Sequence, residues 1–395
     1  MTKSYDGFVL ADLHNDAFDA SIWYEELDKG VLTDMENAPN IDFVIIAGDY
    51  FHRKISANSD SANRAFQFLT RLMQICQRHN AKLRIIKGTE SHDNQQLDML
   101  ENIQKIAPCD FAIKQVASDE YLFDDFQILY LPEEYIAPDD FASYYAPYFT
   151  ADKAYDMVVG HGLVDKAVFV ASIQESERTM KHAPIFEVSE LMRICKGLIY
   201  FGHIHKPMQI GTFRYVGSYS RWAFGEEEEK GYYTGQYNPS AGIYVDQFHT
   251  NPYARKYESL KVEYPAELST DNELSQLTFL KELVSDTIID YLRLEVTIPA
   301  EHPKPLLVSS LIKELFARQR NVKVRIIANE QERKRKEVEE RVAALLDQYD
   351  FIFDKTTPVN EKLSHFITIR HSVTIPPVRI EQYLTQDIQK IIPAN

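Results

Sequence analysis

The chain has 395 residues, 45% hydrophobic and 26% charged, which allows a large core and two or three domains. No run reaches the ~18 apolar residues of a membrane span, and no apolar stretch of signal-peptide type precedes the first strand, so a cytoplasmic protein without a membrane partner is expected. The formal net charge of −16, from 59 acidic against 43 basic residues, excludes a generic basic nucleic-acid coat, but not an enzyme that meets phosphate through bound cations.

In chain order, Phe8-Val9-Leu10, Phe43-Val44-Ile45-Ile46 and Leu83-Arg84-Ile85-Ile86 are short apolar runs that read as strands buried on both faces. Between the last two, Phe66, Leu69, Leu72, Met73 and Cys76 recur at helical spacing and predict a helix over 61–79. Leu97, Leu100, Ile103 and Ile106 predict another over 94–106. This is the βαβ rhythm of a largely parallel sheet. The runs at 121–123, 126–131 and 213–216 read as shorter strands of a second sheet, and Met157-Val158-Val159 and Leu198-Ile199-Tyr200-Phe201 as further buried strands. Pro265 and a polar stretch interrupt the strand pattern between Lys261 and Asn272. Beyond it, 291–298 alternates like a strand with one wet face, 306–319 reads as a helix and 322–327 as a strand. A charged helix is predicted over 329–346, carrying Arg333-Lys334-Arg335-Lys336. A short amphipathic helix over 380–391 has Ile380, Tyr383, Leu384, Ile388 and Ile391 on its apolar face. The expected class is α/β, with domains at 1–262, 263–350 and 351–395. The three cysteines, Cys76, Cys109 and Cys195, lack CxxC spacing and read as small buried hydrophobes.

Five segments carry the chemistry: Asp12-Leu13-His14, Gly48-Asp49-Tyr50-Phe51-His52, Gly88-Thr89-Glu90-Ser91-His92-Asp93, Gly160-His161 and Gly202-His203-Ile204-His205. Each follows an apolar run, and strand ends are where α/β proteins keep ligands. Six of the 12 histidines fall in these motifs, whereas solvated surface histidines would scatter. Carboxylate and imidazole donors without thiolate suit manganese, iron or catalytic zinc. Two ions ~3.5–4 Å apart would clamp a phosphate and lower the pKa of a water to make a nucleophile. Asp49 is the natural bridging ligand, since one carboxylate has two oxygens to share.

This ordered set resembles the calcineurin-like metallophosphoesterases over residues 7 to about 235. A second match narrows it: Tyr215-Val216-Gly217-Ser218-Tyr219-Ser220-Arg221-Trp222-Ala223-Phe224-Gly225-Glu226, followed by Lys230-Gly231-Tyr232, is similar to the segment after the last histidine in SbcD-type DNA-repair nucleases. The resemblance implies a β-sandwich of two mixed sheets flanked by helices, with a smaller α/β capping domain at 263–350 and a possible partner-binding segment at 351–395. It implies Asp12, His14, Asp49 and His205 around one metal, and Asp49, His161 and His203 around the other. His92 would assist the leaving oxygen, Asp93 would orient His92, and His52 would help place the phosphate. It further implies two divalent ions, manganese before magnesium, and cleavage of DNA: 3′→5′ exonuclease on duplex ends and endonuclease on single strands. An SbcC-like SMC-type ATPase as partner, a homodimer, and a bacterial or phage-infected cell complete it.

One departure stands out. The family has Asn before the catalytic His, as a ligand of the second metal; here that position is Ser91, in a loop two residues longer. Glu90 or a water is expected to fill the gap, leaving a looser second metal. Two other readings follow: a phosphoesterase of the same fold acting on a non-DNA substrate, and a catalytically weak DNA-end or ATPase-binding scaffold. Glu226 to Glu229 is expected as an exposed turn, Trp222 and Phe224 as packing under the site, and Arg333 to Lys336 as a solvated face that could touch a phosphate backbone.

Overall fold

The computed structural model describes residues 3–105, 107–165, 184–265, 270–285, 290–299, 302, 304–319, 321–328, 357–371 and 374–382. The chain divides into two compact units, Met1–Ser259 with Thr287–Arg293, and Leu260–Asp286 with Leu294–Asn395. In the first unit the strands are, in order, β1 Tyr5–Leu10, β2 Phe43–Ala47, β3 Lys82–Ile86, β4 Asp110–Lys114, β5 Ser118–Phe123, β6 Phe126–Leu131 and β7 Tyr155–His161. They continue with β8 Leu163–Val164, β9 Ile185–Phe186, β10 Cys195–Gly202, β11 Met208–Ile210, β12 Phe213–Tyr215, β13 Gly231–Asn238 and β14 Ile243–Thr250.

These strands form two six-stranded mixed sheets, ordered β14-β13-β1-β2-β3-β4 and β11-β12-β10-β7-β6-β5, and β8 and β9 pair separately. Within the first, β1 to β4 run parallel; within the second, β6, β7, β10 and β12 do. Alternate residues of each apolar run serve different layers, as strand geometry requires. Val9, Phe43, Ile45 and Ala47 meet Ile128, Tyr130, Met157, Val159, Leu198 and Tyr200 in one core between the sheets. Leu10, Val44 and Ile46 face outward onto Trp23, Leu27, Phe68 and Leu72, which lie on helices. Leu129, Val158, Ile199 and Phe201 face outward from the second sheet with Tyr145, Leu191 and Ile194. The result is four layers, helix, sheet, sheet and helix. Each large apolar side chain buried this way stabilises the fold by roughly 1.5–3 kcal/mol.

The predicted helix over 61–79 forms as Asp60–His79. The Ser59 hydroxyl caps it by accepting from the Ala62 amide at 3.1 Å, and Asn80 ends it in the left-handed region. The predicted helix over 94–106 does not form as one element. Two 3-10 turns, Asn94–Leu97 and Asn102–Lys105, flank a single α-turn, Asp98–Glu101. Its apolar residues recur every three positions, which is the period of a 3-10 helix. Gln96 also turns its amide onto the Arg53 carbonyl (3.0 Å) and accepts from the Ile55 amide (3.1 Å).

A three-stranded sheet of β15 (Tyr257–Glu263), β16 (Tyr291–Ile298) and β17 (Val322–Ala328) has most of its residues in the second unit, while the first three residues of β15 and of β16 fall in the first. Leu294, Val296 and Ile298 are buried, as are Val308, Ile312 and Phe316 of the helix Pro305–Phe316. The expected helix over 329–346, with Arg333 to Lys336, lies outside the described residues, as do positions 383–391 of the last one. Among the described residues, no helix is long and apolar enough to cross a membrane.

Candidate metal centre

The loops leaving β1, β2, β3 and β10, with the last residue of β7, bring all nine expected residues together. The parallel pairing of β1 and β2 continues into their loops: the Asp12 amide donates to the Gly48 carbonyl (3.1 Å) and the His14 amide to the Asp49 carbonyl (3.0 Å). Asp12, His14, Asp49 and His203 all hold positive φ, at 50°, 45°, 50° and 91°. Such backbone costs of order 1–3 kcal/mol per residue and persists where its surroundings over-determine it. Two glycines permit the approach. Gly48 has φ +85° and lies against the His161 ring, and a Cβ on Gly88 would collide with the Asp49 carboxylate.

Asp49 is the hub. Its Oδ2 lies 2.9 Å from His92 Nδ1, 3.3 Å from His161 Nε2 and 3.6 Å from His14 Nε2. Its Oδ1 accepts from the Thr89 amide at 2.6 Å. Four donor groups have ligand atoms close enough to hold one ion: Asp12, His14 and His205; Asp12, Asp49 and His161; Glu133, His161 and His203; and His14, His52 and His92. The Asp12 carboxylate accepts the His203 amide at 2.9 Å, and His161 Nδ1 lies 2.9 Å from the Ala47 carbonyl, which aims Nε2 inward. His52 Nδ1 is 3.4 Å from His14 Nδ1. Asp93 is buried and accepts the Phe51 amide (3.0 Å) and the Gly88 amide (2.8 Å), so its carboxylate ties the β2 and β3 loops together.

Burial and mutual charge set the electrostatics. Burial raises Asp12 to about 6, against the pull of His161 and His205. At Asp49 burial also pushes upward, but His161 and His92 outweigh it and hold the carboxyl well below its usual range. Burial raises Glu133 to about 7. Burial, then Asp49, raises Asp93 to about 7. Burial alone would lower His161 and His92, yet the neighbouring carboxylates raise both, His161 to about 10. Burial lowers His14 well below its usual range, and burial with His92 and Arg53 brings His52 down to about 4.

Sequence reasoning missed two members of the site. Glu133 is fully buried two residues beyond β6, with Oε2 3.6 Å from His203 Nδ1 and 4.0 Å from His161 Nε2. Its place at a sixth strand end was the available signal. Glu226 is also buried, which corrects the expected exposed turn at its first residue, while Glu227 and Glu229 are exposed as expected. Its carboxylate lies 3.8 Å from His205 Nδ1 and 3.4 Å from the ammonium of Lys230, which neutralises it. Trp222 packs on His14 and His205, with ring centroids 4.3 and 4.5 Å apart. Phe224 packs instead on Tyr257, away from the histidines.

The residues present suit divalent metal. The donors are carboxylate and imidazole, and the buried His14 Nε2 and Glu133 Oε1 make no hydrogen bond among the described residues. Among the described residues Glu90 joins no donor group and pairs with Lys87 at 3.0 Å instead, while Ser91 is exposed.

No family model and no curated protein matches the chain. Among solved structures it is similar to one described as the crystal structure of TT1561 of Thermus thermophilus, at 10% identity, covering 62% of this chain and 99% of that one with a TM-score of 0.33. Another solved chain has 8% identity, the same two coverages and the same TM-score. Likeness at that level carries no argument about this chain, whose class stands on its own architecture: an α/β protein with two six-stranded mixed sheets flanked by helices.

Proposed function

We propose that this chain is a two-metal phosphodiesterase of the metallophosphoesterase type that cleaves DNA. The observation that carries the reading is Asp49, whose Oδ2 lies within 3.6 Å of three imidazoles, with donor groups on either side. Asp12, His14, Asp49 and His205 would hold one ion, and Asp49, His161 and His203 the other, manganese being favoured over magnesium. Bound ions supply charge stabilisation for a phosphoryl group and an activated water. His92 engages Asp49 through Nδ1, which leaves Nε2 to carry a proton to the leaving oxygen. His52, beside His14, donates to a phosphate oxygen as a neutral ring, and Trp222 walls off one side of the histidine cluster.

DNA as substrate is supported by the resemblance of the 215–232 segment to the SbcD type. An SMC-type ATPase partner, a homodimer and a cytoplasmic setting in a bacterial or phage-infected cell follow from the same resemblance. The net charge of −16 favours a second reading, a phosphodiester smaller than DNA. The test is degradation of end-labelled linear duplex by the full chain with manganese, with magnesium and with EDTA. Manganese-dependent cleavage, reduced ~10²–10⁴-fold in His92→Ala, is the expected result. Hydrolysis of bis(p-nitrophenyl) phosphate without attack on DNA would establish the second reading instead.

A further inference from the structure

The geometry points to Glu133 as the protein ligand that completes the second metal position, in place of the residue before His92. We infer that this makes the second ion tightly held, where Ser91 alone would leave it loose. The inference rests on the two-metal reading above.

Three observations converge on Glu133. Its side chain is fully buried, and Oε1 has no hydrogen bond among the described residues. Oε2 faces His203 Nδ1 at 3.6 Å and His161 Nε2 at 4.0 Å, the two histidines assigned to the second ion. Its position is built rather than incidental. The Glu133 amide donates to the Lys87 carbonyl at 3.2 Å, which locks the end of β6 in the second sheet to the end of β3 in the first. Thr89 Oγ1 lies 3.4 Å from Glu133 Oε2 and 3.3 Å from Asp49 Oδ2, so one hydroxyl spans both carboxylates. A buried carboxylate oxygen left without a hydrogen bond is costly, and such atoms are found paired or on metal.

Glutamate in this place differs from an amide in charge. With Asp12 and Asp49 it brings three carboxylates to the two ions, which favours hard divalent cations such as manganese. An amide at the same place would offer an oxygen donor without the charge.

The experiment is manganese titration of the full chain by calorimetry, with the electron paramagnetic resonance spectrum recorded at saturation. Wild type, Ser91→Ala, Glu133→Gln and Glu133→Ala are compared, each checked for native circular dichroism. Wild type and Ser91→Ala should bind two ions and show the signal of a coupled pair. Glu133→Gln should keep two sites but weaken the second by ~10-fold or more. Glu133→Ala should keep one ion and show the uncoupled signal. Two ions at unchanged affinity in both Glu133 variants would overturn the assignment, as would loss of the second ion in Ser91→Ala. Absence of manganese binding in wild type would instead overturn the two-metal reading, and this inference with it.

Discussion

Lys230 is completely buried, an uncommon state for a lysine unless it is paired. Its ammonium lies 2.7 Å from Glu228, 3.4 Å from Glu226 and 3.0 Å from the His205 carbonyl. It therefore holds both the carboxylate that faces the His205 ring and the backbone of His205 itself. Replacing it with Met leaves Glu226 buried without its countercharge, a loss of about 3–5 kcal/mol. Lys230→Met should lower the denaturant midpoint accordingly, and the double variant Glu226→Gln, Lys230→Met should recover more than half of that loss. A double variant no more stable than the single would mean that Lys230 acts by packing alone. The same pair shows what single residues disclose in a sequence. Asp12, His14, Asp49, His161, His203 and His205 were legible as a set, because ordered motifs after apolar runs gather half of the chain's 12 histidines, where a lone Asp-x-His could be a capped turn. Glu226 was hidden within four consecutive glutamates, and Glu133 beside Glu134, where acidic neighbours look like solvated surface. Only the fold reveals which acid of each run is buried.

Arg84 shows how elements, not only residues, are joined. It sits on β3 with its side chain 7% exposed, and its guanidinium reaches Glu120 on β5 (2.7 Å) and Asp110 on β4 (2.9 Å). Glu120 also pairs with Lys114 on β4 at 2.6 Å and accepts from Tyr130 on β6 at 3.1 Å. One carboxylate thus links the two sheets. Burial pushes Glu120 upward, but Lys114 and Arg84 outweigh it and hold it below its usual range. A depressed folded value means that this contribution is present above the unfolded value of about 4.3 and is lost as pH falls through the lower folded value. Glu120→Gln should cost roughly 2 kcal/mol at neutral pH. That difference should begin to shrink below about pH 4, where the unfolded chain takes up the proton, and disappear only below the depressed folded value, where folded wild type is protonated too. Urea denaturation of both proteins between pH 3 and pH 7 measures it, and a gap that does not change with pH would count against the ion pair. Strand identity was legible at this scale from apolar runs, whereas the link between sheets was not: Arg84 merely interrupts an apolar run in the sequence. The broken helix at 94–105 was misread for a related reason, since apolar residues three apart fit two helical periods.

Over the first unit as a whole, the site is the place where both sheets end. Asp12 and Asp49 leave β1 and β2 of one sheet, while Glu133 leaves β6 and His161 ends β7 of the other. A continuous apolar run announces burial on both faces without saying what covers them, so the sequence could place these loops at strand ends but not on opposing sheets. Their meeting has an energetic consequence. Asp12, Asp49 and Glu133 are each almost completely buried, and burial raises the protonation range of Asp12 and Glu133, to about 6 and about 7. Folding without cations therefore carries a desolvation cost at these groups. Divalent metal that binds only the folded chain stabilises it by mass action, about 2.7 kcal/mol at 100-fold excess over the dissociation constant. Scanning calorimetry should show the unfolding temperature rise from EDTA to manganese in wild type. Asp49→Ala removes the carboxylate common to both ions, so its unfolding temperature should be nearly the same in the two buffers. An equal rise in both proteins would place the stabilising ions elsewhere, and the carboxylates at the meeting of the sheets would then need another source of compensation.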